Sequence, residues 1–285
     1  MERLRAYGAK CLPITAYGSQ NNFVEVTGVK LVSILRGTGR ERRDEFVEAL
    51  RQLVFEARVV VFRDQDIVQG ADQVDISAWF NPLESTFYKH KMSPHPHVFR
   101  VSNDPISGCT GVGRTGWHVD GSFQPSPFSH AVYHIISCPS RGATAFLPLE
   151  EFHQGLEPGF RERLENLSML SDRRSKLAKP VVYAHPKTGR TTMCFHLGMI
   201  EGFQTSEGVT TGRDETRNIL LELEREILSS GLIYYHEWRP GDFIITDNVA
   251  VAHEATPETQ LPPKVVGLRI MHRTTTVGWR EDGRT

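Results

Sequence analysis

The sequence predicts a mainly β fold with flanking helices: a double-stranded β-helix, or jelly roll. Three observations lead there. Short segments suited to strands recur along the chain, at Phe23–Ser33, Ala57–Arg63, His130–Ser137, Gly231–Trp238, Asp242–Asp247 and Val265–Thr275. Between them lie a few stretches with apolar residues at helical spacing, which read as helices packed outside a barrel. The chain has 285 residues, 39% of them hydrophobic, which is enough for one sizeable core, so residues 1–285 are read as a single domain.

Element by element, Phe23–Ser33 reads as an opening strand. Gly37–Arg43 is a polar, Gly-containing lead into a helix over Asp44–Glu56, where Phe46, Val47, Leu50, Leu53 and Val54 fall on one stripe. Ala57–Arg63 is a β-branched run suited to a buried strand, and Val68–Phe80 reads as a second helix. The Pro- and His-rich stretch Lys89–His97 and the loop Asn103–Arg114 follow; long loops of this kind often carry function. His130–Ser137 alternates as a strand does. Leu149–Leu167 contains short helical pieces broken at Pro158–Gly159. In Arg213–Ser230, Ile219, Leu220, Leu223, Ile227 and Leu228 form a stripe read as core, and Gly231 stands where a C-cap glycine would. The last three strands return the chain to the barrel.

Composition excludes several classes. The formal net charge of −1 gives no electrostatic case for nucleic acid or an anionic membrane. No apolar run approaches the roughly 18 residues of a membrane span, and MERLRAYGAK lacks the apolar stretch of a signal peptide. Cys11, Cys109, Cys138 and Cys194 are scattered without CxxC spacing and read as reduced thiols, so a cytoplasmic location is expected. The oligomeric state is left open, a homo-oligomer included.

The chemistry is concentrated in GWHVDGSF, Gly116–Phe123. On an extended strand, side chains two apart share a face, so His118 and Asp120 can reach one ion while Trp117 and Val119 turn into packing. With 12 His in the chain an H-x-D pair arises readily by chance, and order gives it weight. A His and a basic strand follow near the C-terminus. A third ligand such as His253 would complete a 2-His-1-carboxylate triad, which leaves positions open on non-haem Fe(II). In GLRIMHRTTT, Gly267–Thr276, Arg269, Met271 and Arg273 share one face, with Ile270 and His272 on the other. The two arginines lie about 13 Å apart along the strand and could serve two anions or two ends of one pocket. A guanidinium suits this task because its planar fork binds carboxylates bidentately and stays charged.

These motifs resemble the taurine dioxygenase (TauD/TfdA) family of Fe(II)/2-oxoglutarate-dependent dioxygenases. Besides the iron motif WHVDGSF, the blocks VVVFRDQDI (Val59–Ile67), SRGATAF (Ser140–Phe146), KPVVYAHPKTGR (Lys179–Arg190), EWRPGDFIITDNVAVAHEA (Glu237–Ala255) and RIMHRTTT carry the similarity. It runs from about residue 57 to 278 and covers nearly the whole domain. The resemblance implies that His118, Asp120 and His253 bind Fe(II). It also implies that Arg269 holds the distal carboxylate of 2-oxoglutarate with Thr144 as its partner, and that Arg273 binds an anionic group of the primary substrate or assists the cosubstrate. Two departures lie near the mouth of the site. The His253–Arg269 interval is longer, with Pro262–Pro263, and Arg114 stands where a neutral amide is expected; Arg114 is therefore a further candidate for substrate binding.

The implied reaction uses O2 and 2-oxoglutarate as cosubstrates, releases succinate and CO2, and oxidises a C–H bond. Two of the three open positions would take the 2-oxo acid and the third dioxygen. Asp120 argues against halogenation, because related halogenases place a small residue there. Hydroxylation is the default outcome, with desaturation or oxidative cyclisation in specialised metabolism as the alternative. Arg273, Arg114 and the group His90, Lys91, His95 and His97 suggest a small anionic substrate such as a carboxylate, sulfonate or amino-acid derivative. His196, His236 and His272 are read as ordinary packed or exposed residues. Two rival classes are a zinc hydrolase using the same triad and a non-catalytic jelly-roll binding protein.

Overall fold

The β-branched run before Arg63 is buried on both faces, and that burial organises the molecule. A computed structural model describes residues 1–14, 22–86, 88–171 and 177–279; the rest of the 1–285 span lies outside the described residues. In chain order come α1 (Glu2–Arg5), β1 (Lys10–Pro13), β2 (Val24–Thr27), α2 (Leu31–Gly37), α3 (Arg40–Ala57), β3 (Val59–Phe62) and α4 (Gly70–Ser77). The middle holds β4 (Phe99–Ser102), β5 (His130–Ser137), β6 (Thr144–Pro148), α5 (Leu149–Gly155), α6 (Pro158–Glu165), β7 (Leu167–Ser171), β8 (Ala178–Pro180), β9 (Val182–Ala184), β10 (Thr191–Met193) and β11 (Ile200–Thr205). Next are α7 (Arg213–Ser229), β12 (Tyr234–His236), β13 (Phe243–Asp247), β14 (Val251–Ala255), α8 (Pro263–Val266) and β15 (Ile270–Thr275).

The main sheet has seven strands in the order β1-β2-β3-β13-β5-β15-β4, and a three-stranded sheet runs β12-β6-β14. Strand alternation distributes its side chains between two cores. Val60, Phe62, Val132, Phe243 and Ile245 point outward under α2, α3 and α4, whose Leu31, Phe46, Leu50, Val54 and Ile76 cover them. Val59, Val61, Tyr133, Ile135, Ile244 and Met271 point inward and meet Phe146 and Val251 of the smaller sheet. The outer face of that smaller sheet, through Ala145, Leu147 and Ala252, packs on α5, α6 and α7. Two β layers around an inner core, with helices outside, are the expected jelly roll.

Several elements match their expected bounds closely. β5 is one, and α7 ends at Ser229 just before Gly231, whose φ is +68°. Others differ. The opening strand spans only Val24–Thr27, because Gly28 (φ +81°) turns the chain against the Gly8 carbonyl and a helix begins at Leu31. The strand expected from Val265 starts only at Ile270. Pro263 at the first helical position and Gly267 at φ +90° make the preceding residues a short helix and turn. The strand expected over Gly231–Trp238 is confined to Tyr234–His236.

Candidate active site

His118 is held in extended backbone by two neighbours rather than by a long strand. It bridges both His196 and His253, and His118 and His253 exchange backbone hydrogen bonds of 3.1 and 2.9 Å. As expected, Trp117 and Val119 turn away into the core beneath the smaller sheet. Gly121 then reverses the chain: its φ is +74°, and a Cβ there would meet the Phe128 backbone nitrogen at 2.9 Å.

The side chains converge. One ligand atom each from His118, Asp120 and His253 lies within 4.8 Å of the others, and all three residues are buried. His118 donates Nδ1–H to the Gly116 carbonyl at 2.7 Å, which fixes the tautomer and leaves Nε2 as a lone-pair donor. Burial lowers the His118 and His253 imidazole pKa values, His253 to about 3, so both are neutral and competent to ligate. Burial pushes the Asp120 carboxyl up, but Arg273, His253 and His118 together outweigh it and bring it down to about 2. Two neutral imidazoles and an ionised carboxylate at this spacing suit a divalent cation such as Fe(II). Arg273 Nη1 lies 2.8 Å from both Asp120 oxygens. A carboxylate has about four acceptor sites, so this contact leaves room for a metal bond.

A cavity of ≈ 380 Å³ opens beside them, with walls that include His118, Asp120, Arg273, His196, Phe99, Phe128 and Met199; His253, Arg269 and Thr144 lie outside its wall. At its rim Tyr88 stacks on Phe99, centroids 5.1 Å apart and planes within 18°, and the Arg273 guanidinium sits 4.9 Å from the same Phe99 ring. Arg269 is fully buried, as an inward-facing arginine should be; among the described residues its Nη2 meets Met271 Sδ and its Nε has no partner. Burial lowers its pKa to about 10, which still leaves it charged. A buried guanidinium without a protein anion is costly, and a ligand carboxylate would satisfy it. Thr144 is buried too, but its Oγ1 accepts from Trp238 Nε1 at 3.1 Å, and no hydrogen bond joins it to Arg269.

Not every expected residue arrives. Arg114 donates to the Ala255 carbonyl at 2.6 Å and reaches Glu254; it braces β14 and is not part of the cavity wall. His90 and His97 are engaged by backbone carbonyls of Pro105 and Glu84, and none of His90, Lys91, His95 or His97 lines the cavity. His196, read as an ordinary histidine, is buried and stacks on His118 at 4.7 Å with planes within 21°. Tyr133 carries no motif of its own, yet its hydroxyl lies 3.3 Å from His253 Nε2 and 3.5 Å from Asp120 Oδ2. Only its inward place in an alternating strand could have marked it. His236 and His272 are buried in hydrogen bonds to Asp242 and Arg100.

With fold and site in hand, the class is that of 2-oxoglutarate-dependent dioxygenases. The profile of the taurine catabolism dioxygenase TauD, TfdA family matches residues 35–275, and the chain belongs to that family. It is 26% identical over 261 residues to the (S)-phenoxypropionate/alpha-ketoglutarate-dioxygenase of Sphingobium herbicidovorans, covering 81% of this chain and 85% of the relative. The alpha-ketoglutarate-dependent 2,4-dichlorophenoxyacetate dioxygenase of Cupriavidus pinatubonensis is also 26% identical, over 73% of this chain and 82% of its own. Among solved structures, a taurine dioxygenase from Burkholderia xenovorans shares the fold with a TM-score of 0.74 at 23% identity, over 97% of this chain and 94% of that one. Among the described residues no helix is long and apolar enough to cross a membrane.

Proposed function

We propose that residues 1–285 act as one catalytic domain that oxidises a C–H bond of a small organic anion with a flat apolar body. The observation that carries this reading is the convergence of His118, Asp120 and His253, two of which, His118 and Asp120, line a cavity that also holds Arg273. His118, Asp120 and His253 would hold Fe(II). Arg269, helped by Thr144, would hold the distal carboxylate of 2-oxoglutarate. Iron with 2-oxoglutarate and O2 supplies oxidative decarboxylation, releasing succinate and CO2 and removing hydrogen from a nearby carbon.

The protein's own part is positioning. Arg273 lines the cavity, so the part of its guanidinium that faces the opening can turn a substrate carboxylate or sulfonate toward the site while Nη1 stays on Asp120. Tyr88, exposed at the rim and backed by Phe99, offers a flat surface for an apolar ring. The two relatives above are named for phenoxypropionate and 2,4-dichlorophenoxyacetate, acids of that shape. Arg114 has no such support, being committed to β14.

The test is anaerobic loading with Fe(II) and 2-oxoglutarate, then admission of O2 with a panel of aryloxy acids, aliphatic sulfonates and amino-acid derivatives. Succinate release above the uncoupled background identifies the substrate class. A mass gain of one oxygen in the stimulating compound marks hydroxylation, and loss of two hydrogens marks desaturation or cyclisation. Metal-dependent hydrolysis without 2-oxoglutarate consumption, or ligand binding without turnover, would overturn the assignment.

A further inference from the structure

Asn248 lies in the turn between β13 and β14, fully buried, and it directs its whole side chain at the backbone around Asp120. Its Oδ1 accepts from the Asp120 N–H at 3.1 Å. Its Nδ2 donates to the Asp120 carbonyl at 2.9 Å and to the Phe128 carbonyl at 2.7 Å. The amide therefore mimics a strand partner for a single residue, and it also pins both ends of the loop from Asp120 to Phe128, which walls the cavity. Five residues on, the same hairpin delivers His253. One turn thus sets the Asp120 backbone from which its carboxylate projects and carries a neighbouring imidazole.

We infer that Asn248 is a positioning residue for the metal site, acting through the Asp120 main chain to fix where the carboxylate stands relative to His253. The inference rests on the reading of His118, Asp120 and His253 as metal ligands. A bidentate amide clamp cannot be replaced by water without loss of direction, because its donor and acceptor ends must meet a carbonyl and an N–H of the same residue. Partners that orient metal ligands commonly account for about 10- to 100-fold in metal affinity.

The test compares Asn248→Ala with a matched control, Gln65→Ala. Gln65 is equally buried and makes the same pattern of three hydrogen bonds, to Leu31 N, Val29 O and Arg63 O, remote from the metal site. Mn(II) affinity is measured by calorimetry on the full chain without cosubstrate, and thermal unfolding is measured in chelator. Both variants are expected to lower the unfolding temperature. Only Asn248→Ala is expected to weaken Mn(II) binding, by about tenfold or more. Should Asn248→Ala fail to fold, Asn248→Asp keeps the size and the acceptor but sets oxygen against two carbonyls, and the same loss is expected. Unchanged Mn(II) affinity in a folded Asn248 variant, or an equal loss in Gln65→Ala, overturns the inference. Failure of the unmodified protein to bind Mn(II) instead overturns the ligand assignment beneath it.

Discussion

Arg273 Nη1 touches both oxygens of Asp120 at 2.8 Å, so the cation available to an incoming anion is also the one that keeps the candidate metal ligand ionised. Two tasks are combined in one side chain. Removing it exposes Asp120 to the upward push of burial with only histidines to oppose it. In Arg273→Leu, protons are expected to compete with metal for Asp120 in mild acid. Mn(II) affinity measured at pH 7.5 and 5.5 should fall more steeply in the variant than in the parent. An identical fall would show that Arg273 does not govern that carboxyl.

Arg269 makes a separate prediction because its Nε has no hydrogen-bond partner among the described residues. In Arg269→Met, the 2-oxoglutarate requirement should rise by one to two orders of magnitude, matching loss of a charged hydrogen bond of about 1.5–3 kcal/mol. Anaerobic thermal unfolding with Mn(II) supplies the check. 2-Oxoglutarate is expected to raise the midpoint of the parent and to leave the variant nearly unmoved.

Asp120→Ala should abolish substrate-coupled oxidation. It should also weaken Mn(II) by at least the about hundredfold that losing an outer partner alone can cost. Succinate release and calorimetric titration measure the two effects independently. Normal coupled turnover in this variant would remove Asp120 from the ligand set.

Acid stability tests the buried histidines away from the site. Burial, with Arg100 adding to it, lowers His272 to about 3, and its Nε2 faces Arg100 Nη1 at 2.7 Å. Because the folded-state pKa lies below the unfolded value near 6.5, the unfolded chain takes up the proton first. This contribution to stability is therefore present above pH 6.5 and is lost progressively as pH falls from 6.5 toward 3. His272→Gln keeps an acceptor for Arg100 but does not titrate. Its loss of stability between pH 7.5 and 5 should be smaller than that of the parent by about 1–2 kcal/mol, read from urea unfolding at the two pH values.

What could be read from sequence was what depends on near neighbours. His118 and Asp120 announce themselves by spacing, and β5 and α7 by periodicity, because each pattern is complete within a few residues. Phe23–Ser33 misleads for the same reason: its residues favour a strand, and only the close approach of Gly8 to Gly28 ends it early. Tyr133, His196 and Asn248 escape notice because their importance comes from partners far along the chain. Arg114 shows the converse. A charge beside a motif looks available until the fold supplies the Ala255 carbonyl to occupy it. Arg269, just before β15, and Arg273 within it share one face as alternation requires, yet sequence could not say that Arg273 would meet Asp120 while Arg269 would meet no carboxylate among the described residues.

The paired backbone hydrogen bonds between His118 and His253 have a practical consequence. Main-chain bonds hold these two imidazoles side by side, so the ion is not the nail that joins them. A chelator should strip such a centre and leave the scaffold standing, with far-ultraviolet circular dichroism unchanged. Ferrous salt should then restore it without any refolding step. In that respect the protein would behave as a template awaiting its cargo, open to exchange of one divalent ion for another.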